Sequence, residues 1–170
     1  MSGQAVAYAV LTVMALQRLS ELFLSNRNTK ILKARGAVES GAGHYFFIVA
    51  LHVCWLAAVL IFLPHPTPVA WPLIALLAVL QLMRLWVVIT LGPFWTTRIL
   101  SMPDAPLVKT GPYRFLRHPN YVVVMIEILA LPLAFGEIAV AMIFSLINTV
   151  LLGIRIRAED AALANRRALP

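Results

Sequence analysis

Charge is what this sequence has least of. Only 12% of its 170 residues are charged and 61% are hydrophobic, against about 25% and about 45–50% in ordinary soluble domains. That excludes a water-soluble globular domain and makes the chain an integral membrane protein. Cysteine is almost absent: Cys54 stands alone inside an apolar run, which leaves no disulfide framework, no CxxC pair and no thiolate metal site. No metal is expected. A basic segment is missing ahead of the first apolar stretch, so residues 1–16 read as part of a first span rather than as a cleavable signal. Acidic residues are few, 7 against 14 Lys and Arg for a formal charge of +7, and the meaning of that excess depends on where the cations fall.

A helix needs roughly 20 apolar residues to cross a hydrocarbon core of ~30 Å. Five stretches come close, at 4–24, 44–63, 69–91, 119–135 and 137–156, which predicts an all-α fold in a single membrane domain. Gly136 and its neighbours alone separate the last two, and Pro132 is placed to kink the fourth. Arg27, Lys30, Lys33 and Arg35 follow the first span; Arg98, Lys109, Arg114 and Arg117 follow the third; Arg155, Arg157, Arg166 and Arg167 follow the fifth. The second and fourth connections carry no cation. The positive-inside rule then gives an outside N-terminus and a cytoplasmic C-terminus, and the basic total reads as insertion and lipid contact rather than as nucleic-acid binding.

Arg18 and Arg84 are the two cations left inside spans, where a charge costs at least ~2.5–3.5 kcal/mol and faces protein or water. Arg18, His52, Arg84, Glu127 and Asn148 each lie six to eight residues from the same end of their own predicted spans, at a depth of roughly 9–12 Å. Glu21 and Gln81 lie within a turn of Arg18 and Arg84. Two readings fit: buried ion pairs that hold the bundle together, or a polar floor beneath a cavity open to the cytoplasm.

The third connection, residues 92–118, is longer than a bare connector requires and rich in apolar and aromatic residues, so it is expected to fold back over the bundle. Thr110-Gly111-Pro112 is turn chemistry. Pro119 suits the first turn of a helix, which puts His118, Asn120 and Tyr121 at a helix N-terminus that favours an anion. Arg114 and Arg117 add guanidinium groups for a carboxylate or for a lipid phosphate. Tyr113 and Tyr121 also suit an interfacial aromatic position, and His118 a cap. Glu159 and Asp160 lie on the same predicted membrane face; their simplest use is local pairing with neighbouring Arg residues. Together the two segments supply cations, a helix N-terminus, aromatics and carboxylates that suit a zwitterionic, partly aromatic cofactor.

Gly111-Pro112-Tyr113-Arg114, Arg117-His118-Pro119-x-Tyr121 and Arg155-Ile156-x-x-Glu159-Asp160 resemble the signature of the isoprenylcysteine carboxyl methyltransferase family and the related phospholipid methyltransferases. Gln17-Arg18-Leu19-Ser20-Glu21-Leu22, Arg27-Asn28 and Gly92-Pro93-Phe94-Trp95-Thr96-Thr97 extend the likeness over nearly the whole chain, toward a small bacterial branch that includes O-methyltransferases of alkylpyrones and phenolic lipids. The second acidic position is Asp160 where the family has Glu, and the chain is expected to lack the longer C-terminal tail of the larger enzymes.

The resemblance implies a multispan bacterial membrane enzyme that uses S-adenosylmethionine. It places cofactor binding on Arg117, His118, Pro119, Tyr121, Glu159 and Asp160, with Gly111 and Tyr113 shaping the pocket. Glu127 or His118 is then the candidate base, and Arg84 the stabiliser of an acceptor oxyanion. The expected acceptor is a lipophilic alkylpyrone or alkylresorcinol entering from the bilayer. A prenylcysteine or phospholipid acceptor, a nicotinamide-dependent lipid reductase and a noncatalytic membrane subunit are the alternatives.

Overall fold

The computed structural model describes residues 2–102 and 107–164. Its first helix, α1 (Gly3–Ala34), runs for 32 residues, because no Pro or Gly lies between Gly3 and Gly36 to stop it. Ser2 caps its start by accepting from the Ala5 N–H. The apolar run ends near residue 24 but the helix does not, so Arg27, Lys30 and Lys33 stand on helix rather than in a loop. After α2 (Ala42–Ile61), Pro64, Pro66 and Pro68 keep the chain out of helix until α3 (Trp71–Leu91). Pro72 and Pro119 open α3 and α4 (Pro119–Ala134) in their first turns. The last helix, α5 (Ile138–Leu163), passes the expected end at 156. Arg155, Arg157, Glu159 and Asp160 are therefore helical, and Arg155 and Glu159, four apart, share a face. Arg166 and Arg167 lie outside the described residues.

Among the described residues, four helices are long and apolar enough to cross a membrane: α1, α2, α3 with the short helical turn that follows it, and α5. The fifth expected span, α4, has 16 residues; at ~1.5 Å each it measures about 24 Å, short of the ~30 Å core. It packs between α3 and α5, with Val123, Ile128, Leu131 and Ala134 fully buried. Protein rather than lipid surrounds much of it, which relaxes the length requirement. Outward-facing Phe23, Phe46, Leu82 and Leu146 are exposed while Arg84 and Glu127 are buried. Apolar outside and charged inside is the arrangement a bilayer stabilises and water does not. The chain is a multi-pass membrane protein.

Contacts at the two ends fix the arrangement. At one end the Ala70 N–H donates to the Ala134 carbonyl at 2.9 Å, and Gly136, at φ 81°, turns tightly against Pro68. At the other end β1 (Val38–Ser40) pairs antiparallel with β2 (Ile99–Ser101), Glu39 opposite Leu100. This small ladder was not expected. Three-residue strands are too short to show an alternating pattern, yet this one ties the connection after α1 to the connection after α3.

Candidate functional site

Polar residues on the extension of α1 hold the third connection down. Asn28 donates from Nδ2 to the carbonyls of Trp95 at 2.9 Å and Gly92 at 3.2 Å. Ser25 accepts from the Thr97 N–H at 2.8 Å, and the Tyr45 hydroxyl lies 3.1 Å from that of Thr97. Glu39 joins the ladder to the same surface through Lys33 at 2.5 Å and Arg98 at 2.6 Å. The hydrogen bond from Lys33, then the Arg98 guanidinium, hold the Glu39 carboxyl below its ordinary range. Residues 92–101 thereby fold back over the end of the bundle.

The second half of that connection turns at Gly111, whose φ of 56° brings its backbone against α3: a Cβ there would meet the Thr90 hydroxyl at 2.6 Å. The turn Gly111–Arg114 leads into α4, whose N-cap, His118, makes no side-chain cap bond. Pro119 has no N–H, and those of Tyr121 and Val122 donate to the His118 carbonyl, which leaves the Asn120 N–H of the first turn for another acceptor. His118 stacks on Tyr121, ring centroids 5.2 Å apart, and lies between two carboxylates of α5. Its Nδ1 is 3.7 Å from Glu159 Oε1 and its Nε2 is 3.2 Å from Asp160 Oδ1. Tyr121 donates its hydroxyl proton to Glu159 and accepts from buried Arg155 Nε at 2.8 Å. Arg155 also donates from Nη2 to the Thr97 carbonyl at 2.5 Å. One chain of bonds therefore links α1, the third connection, α4 and α5. Burial, and then the Glu159 carboxylate, push the Tyr113 phenol up, so it stays protonated at neutral pH.

Deeper in the bundle, Glu127 is fully buried and accepts from Arg18 at 2.5 Å, Arg84 at 2.8 Å and Gln81 at 2.7 Å. Glu21 accepts from Arg84 at 2.6 Å and Gln17 at 3.0 Å, with Arg18 at 3.4 Å. Two Arg and two Glu balance, which is how charge survives inside a membrane protein. His52 and Asn148, expected in the same layer, stand apart from this hydrogen-bonded cluster: His52 bonds the Ile48 carbonyl, and Asn148 is buried on α5.

Between the two clusters lies a cavity of about 730 Å³, within the ~300–1,000 Å³ range of small-molecule sites. Tyr113, Arg117, His118, Asn120, Tyr121 and Glu159 line one part; Arg18, Glu21, His52 and Arg84 line another; Leu19, Leu22, Ile48, Val49, Val53 and Leu56 supply apolar wall. Of the residues expected from sequence, Arg84, Arg117, His118, Tyr113, Tyr121 and Glu159 reach the cavity. Gly111, Pro119, Asp160 and Glu127 do not: Gly111 and Pro119 shape backbone, Asp160 backs His118, and Glu127 holds Arg18 and Arg84. Sequence reasoning had not singled out Ser25, Thr97 or Arg155 for the site. Arg155 and Thr97 carried a visible signal, since both fall in the motifs that carry the resemblance; Ser25 carried none.

The lining also fits the cofactor the sequence suggests. Arg117 and the Asn120 N–H at the start of α4 match a carboxylate, Glu159 matches an ammonium or ribose hydroxyls, and the Asn120 Oδ1, buried with no partner among the described residues, awaits a donor. Among the described residues no group of three or more His, Cys, Asp or Glu side chains forms a metal site.

Apolar helices around a charged cavity define a polytopic membrane protein. The chain belongs to the isoprenylcysteine carboxyl methyltransferase family, whose sequence model matches residues 73–165. Membership makes it one of the membrane methyltransferases, and methyltransferases of this family use S-adenosylmethionine. Uncharacterized protein YpbQ of Bacillus subtilis is 37% identical over 160 residues, covering 92% of this chain and 95% of that protein. An uncharacterized protein of Haemophilus influenzae is 26% identical over 153 residues, covering 87% and 89%. No solved structure matches the chain.

Proposed function

We propose that this protein transfers a methyl group from S-adenosylmethionine to a hydroxyl oxygen of a lipophilic acceptor, an alkylpyrone or alkylresorcinol in type. The observation that carries the reading is the single cavity bordered by both clusters, Arg117, His118 and Glu159 on one side and Arg18 and Arg84 on the other, with apolar wall between them. When bound, the cofactor supplies a methyl group already activated on a sulfonium.

The chain's part is to hold, align and exclude water. Arg117 and the Asn120 N–H of α4 would hold the methionyl carboxylate; Glu159, fixed by Tyr121 and Arg155, would hold the ammonium or the ribose hydroxyls. Asp160 orients His118, whose ring nitrogens both face carboxylates, and the Tyr121 ring lines the cavity beside it. Arg18 and Arg84 stabilise negative charge on the acceptor oxygen, since Glu127 anchors both from behind. Glu127 is sealed from the cavity, so its contribution is to orient these cations rather than to touch the acceptor. The basic residues of α1, the third connection and α5 gather at the cofactor end, which supports a cytoplasmic placement of that end and an outside N-terminus.

Calorimetric titration with S-adenosylhomocysteine tests the reading. Saturable binding is expected for the wild type and lost in both His118→Ala and Glu159→Ala with helical content retained. Binding of NADPH alone would reject it.

A further inference from the structure

An acceptor hydroxyl that becomes an ether must lose its proton, and resting on the methyl-transfer reading above, we propose that His52 takes it. Four histidines are present, and their surroundings differ. His65 meets Gln4 at the far end of the bundle. His44 stands at the start of α2 beside Gly41. His118 has both ring nitrogens turned to carboxylates. His52 lines the cavity on α2, and its Nδ1 lies 2.8 Å from the Ile48 carbonyl. A carbonyl only accepts, so Nδ1 carries the ring proton and Nε2 carries a lone pair.

That is the tautomer a general base needs, held by a backbone bond one turn earlier on the same helix. Trp55 packs edge-on at 6.3 Å and fixes the ring plane. The charged groups acting on the ring are Arg18 from α1, Glu127 from α4 and Arg155 from α5. Glu21, the remaining carboxylate on this side of the cavity, is occupied by Arg84, Gln17 and Arg18. Arg18 therefore stands where the oxygen that gives up its proton needs a counter-charge.

The step balances. The acceptor O–H bond breaks with its proton passing to His52 Nε2, and the oxygen bonds the methyl carbon. The electron pair of the broken carbon–sulfur bond stays on sulfur, which passes from sulfonium to thioether. The imidazole gains the positive charge that sulfur gives up, so the site keeps its net charge, and the proton then leaves to water. A base of this kind contributes about 10²–10⁴-fold. His52 precedes the segment that the family's sequence model covers, residues 73–165.

The test uses the full chain in phospholipid nanodiscs, with radiolabelled S-adenosylmethionine and two probes, a pentadecyl resorcinol and a 4-hydroxy-pyrone bearing the same alkyl chain. The pyrone hydroxyl is acidic and ionises without help; the resorcinol hydroxyl does not. His52→Phe and His52→Gln are expected to lose about 100-fold in turnover on the resorcinol and far less on the pyrone, with unchanged S-adenosylhomocysteine affinity by calorimetry. Independently of turnover, diethylpyrocarbonate is expected to modify His52, as read by mass spectrometry, and the resorcinol to protect it. Equal losses on both probes in both variants, or no loss on either, would overturn the assignment. Failure of the wild type to methylate either probe would reject the acceptor reading and this inference with it, whereas wild-type turnover matched by both variants rejects the inference alone.

Discussion

Arg155 donates from Nε to the phenol oxygen of Tyr121 at 2.8 Å, and this sets the direction of the phenol proton. Arginine can only donate, so Tyr121 must turn its own hydrogen to Glu159. Removing the guanidinium releases that order and leaves the Thr97 carbonyl without its donor. Arg155→Met is expected to weaken S-adenosylhomocysteine binding roughly 10- to 100-fold, the equivalent of ~1.5–3 kcal/mol for a bond to a charged group. Titration calorimetry reads the affinity, and circular dichroism checks that the helices persist.

Glu127 offers a test of stability rather than of binding. Truncating it leaves Arg18 and Arg84 in an apolar interior with Glu21 as the one carboxylate to share between them, a change that costs about 3–5 kcal/mol where a buried pair is broken. Glu127→Ala is expected to unfold at much lower temperature in detergent micelles, and Glu127→Gln, which keeps shape and one acceptor, to lose less. Equal melting of the alanine variant and the wild type would show that the cluster adds nothing to the bundle.

The turn at Gly111 is sensitive to a single methyl group. At φ 56° with Thr90 Oγ1 2.6 Å from the position of a Cβ, Gly111→Ala meets both backbone strain and a clash. The expected outcome is a displaced Tyr113 and at least about tenfold weaker cofactor binding, since each ~1.4 kcal/mol is a factor of ten. The bundle itself should melt near the wild-type temperature.

Glu39 gives a pH-dependent prediction. Its carboxyl lies below the ordinary value of 4.5 because Lys33 and Arg98 pair with its charged form. A depressed acid contributes stability that is present above its unfolded value and lost as pH falls through the folded one. The melting difference between wild type and Glu39→Gln is expected to be constant at neutral pH and to shrink below about pH 4.5. Its partner Lys33 is about half exposed to water, which keeps the effect small; a difference that grows on acidification would contradict the pairing.

The sequence disclosed the helices because apolar runs and prolines mark them, and it disclosed the site where the chemistry is concentrated in short stretches. Residues 111–121 and 155–160 come together as their spacing suggested. Helix lengths were less legible at two places, the end of α1 and the end of α5, since the signal read was hydrophobicity while the helices continue on polar residues that pack against protein. The partners of Asn28 and Ser25 are backbone groups more than sixty residues away, a contact with no local pattern. Glu127 was legible as a buried acid; that three donors and no cavity surround it became clear only once α1, α3 and α4 were set side by side.

The shortness of α4 has a further consequence. Its Ala134 end is stitched to Ala70 at the far edge of the bundle, so the deficit of about 6 Å against the bilayer core falls at the His118 end. On the proposed reading, the floor that receives the water-borne methyl donor is countersunk beneath the headgroups. On that reading the greasy acceptor stays within its leaflet while the donor comes from the aqueous side.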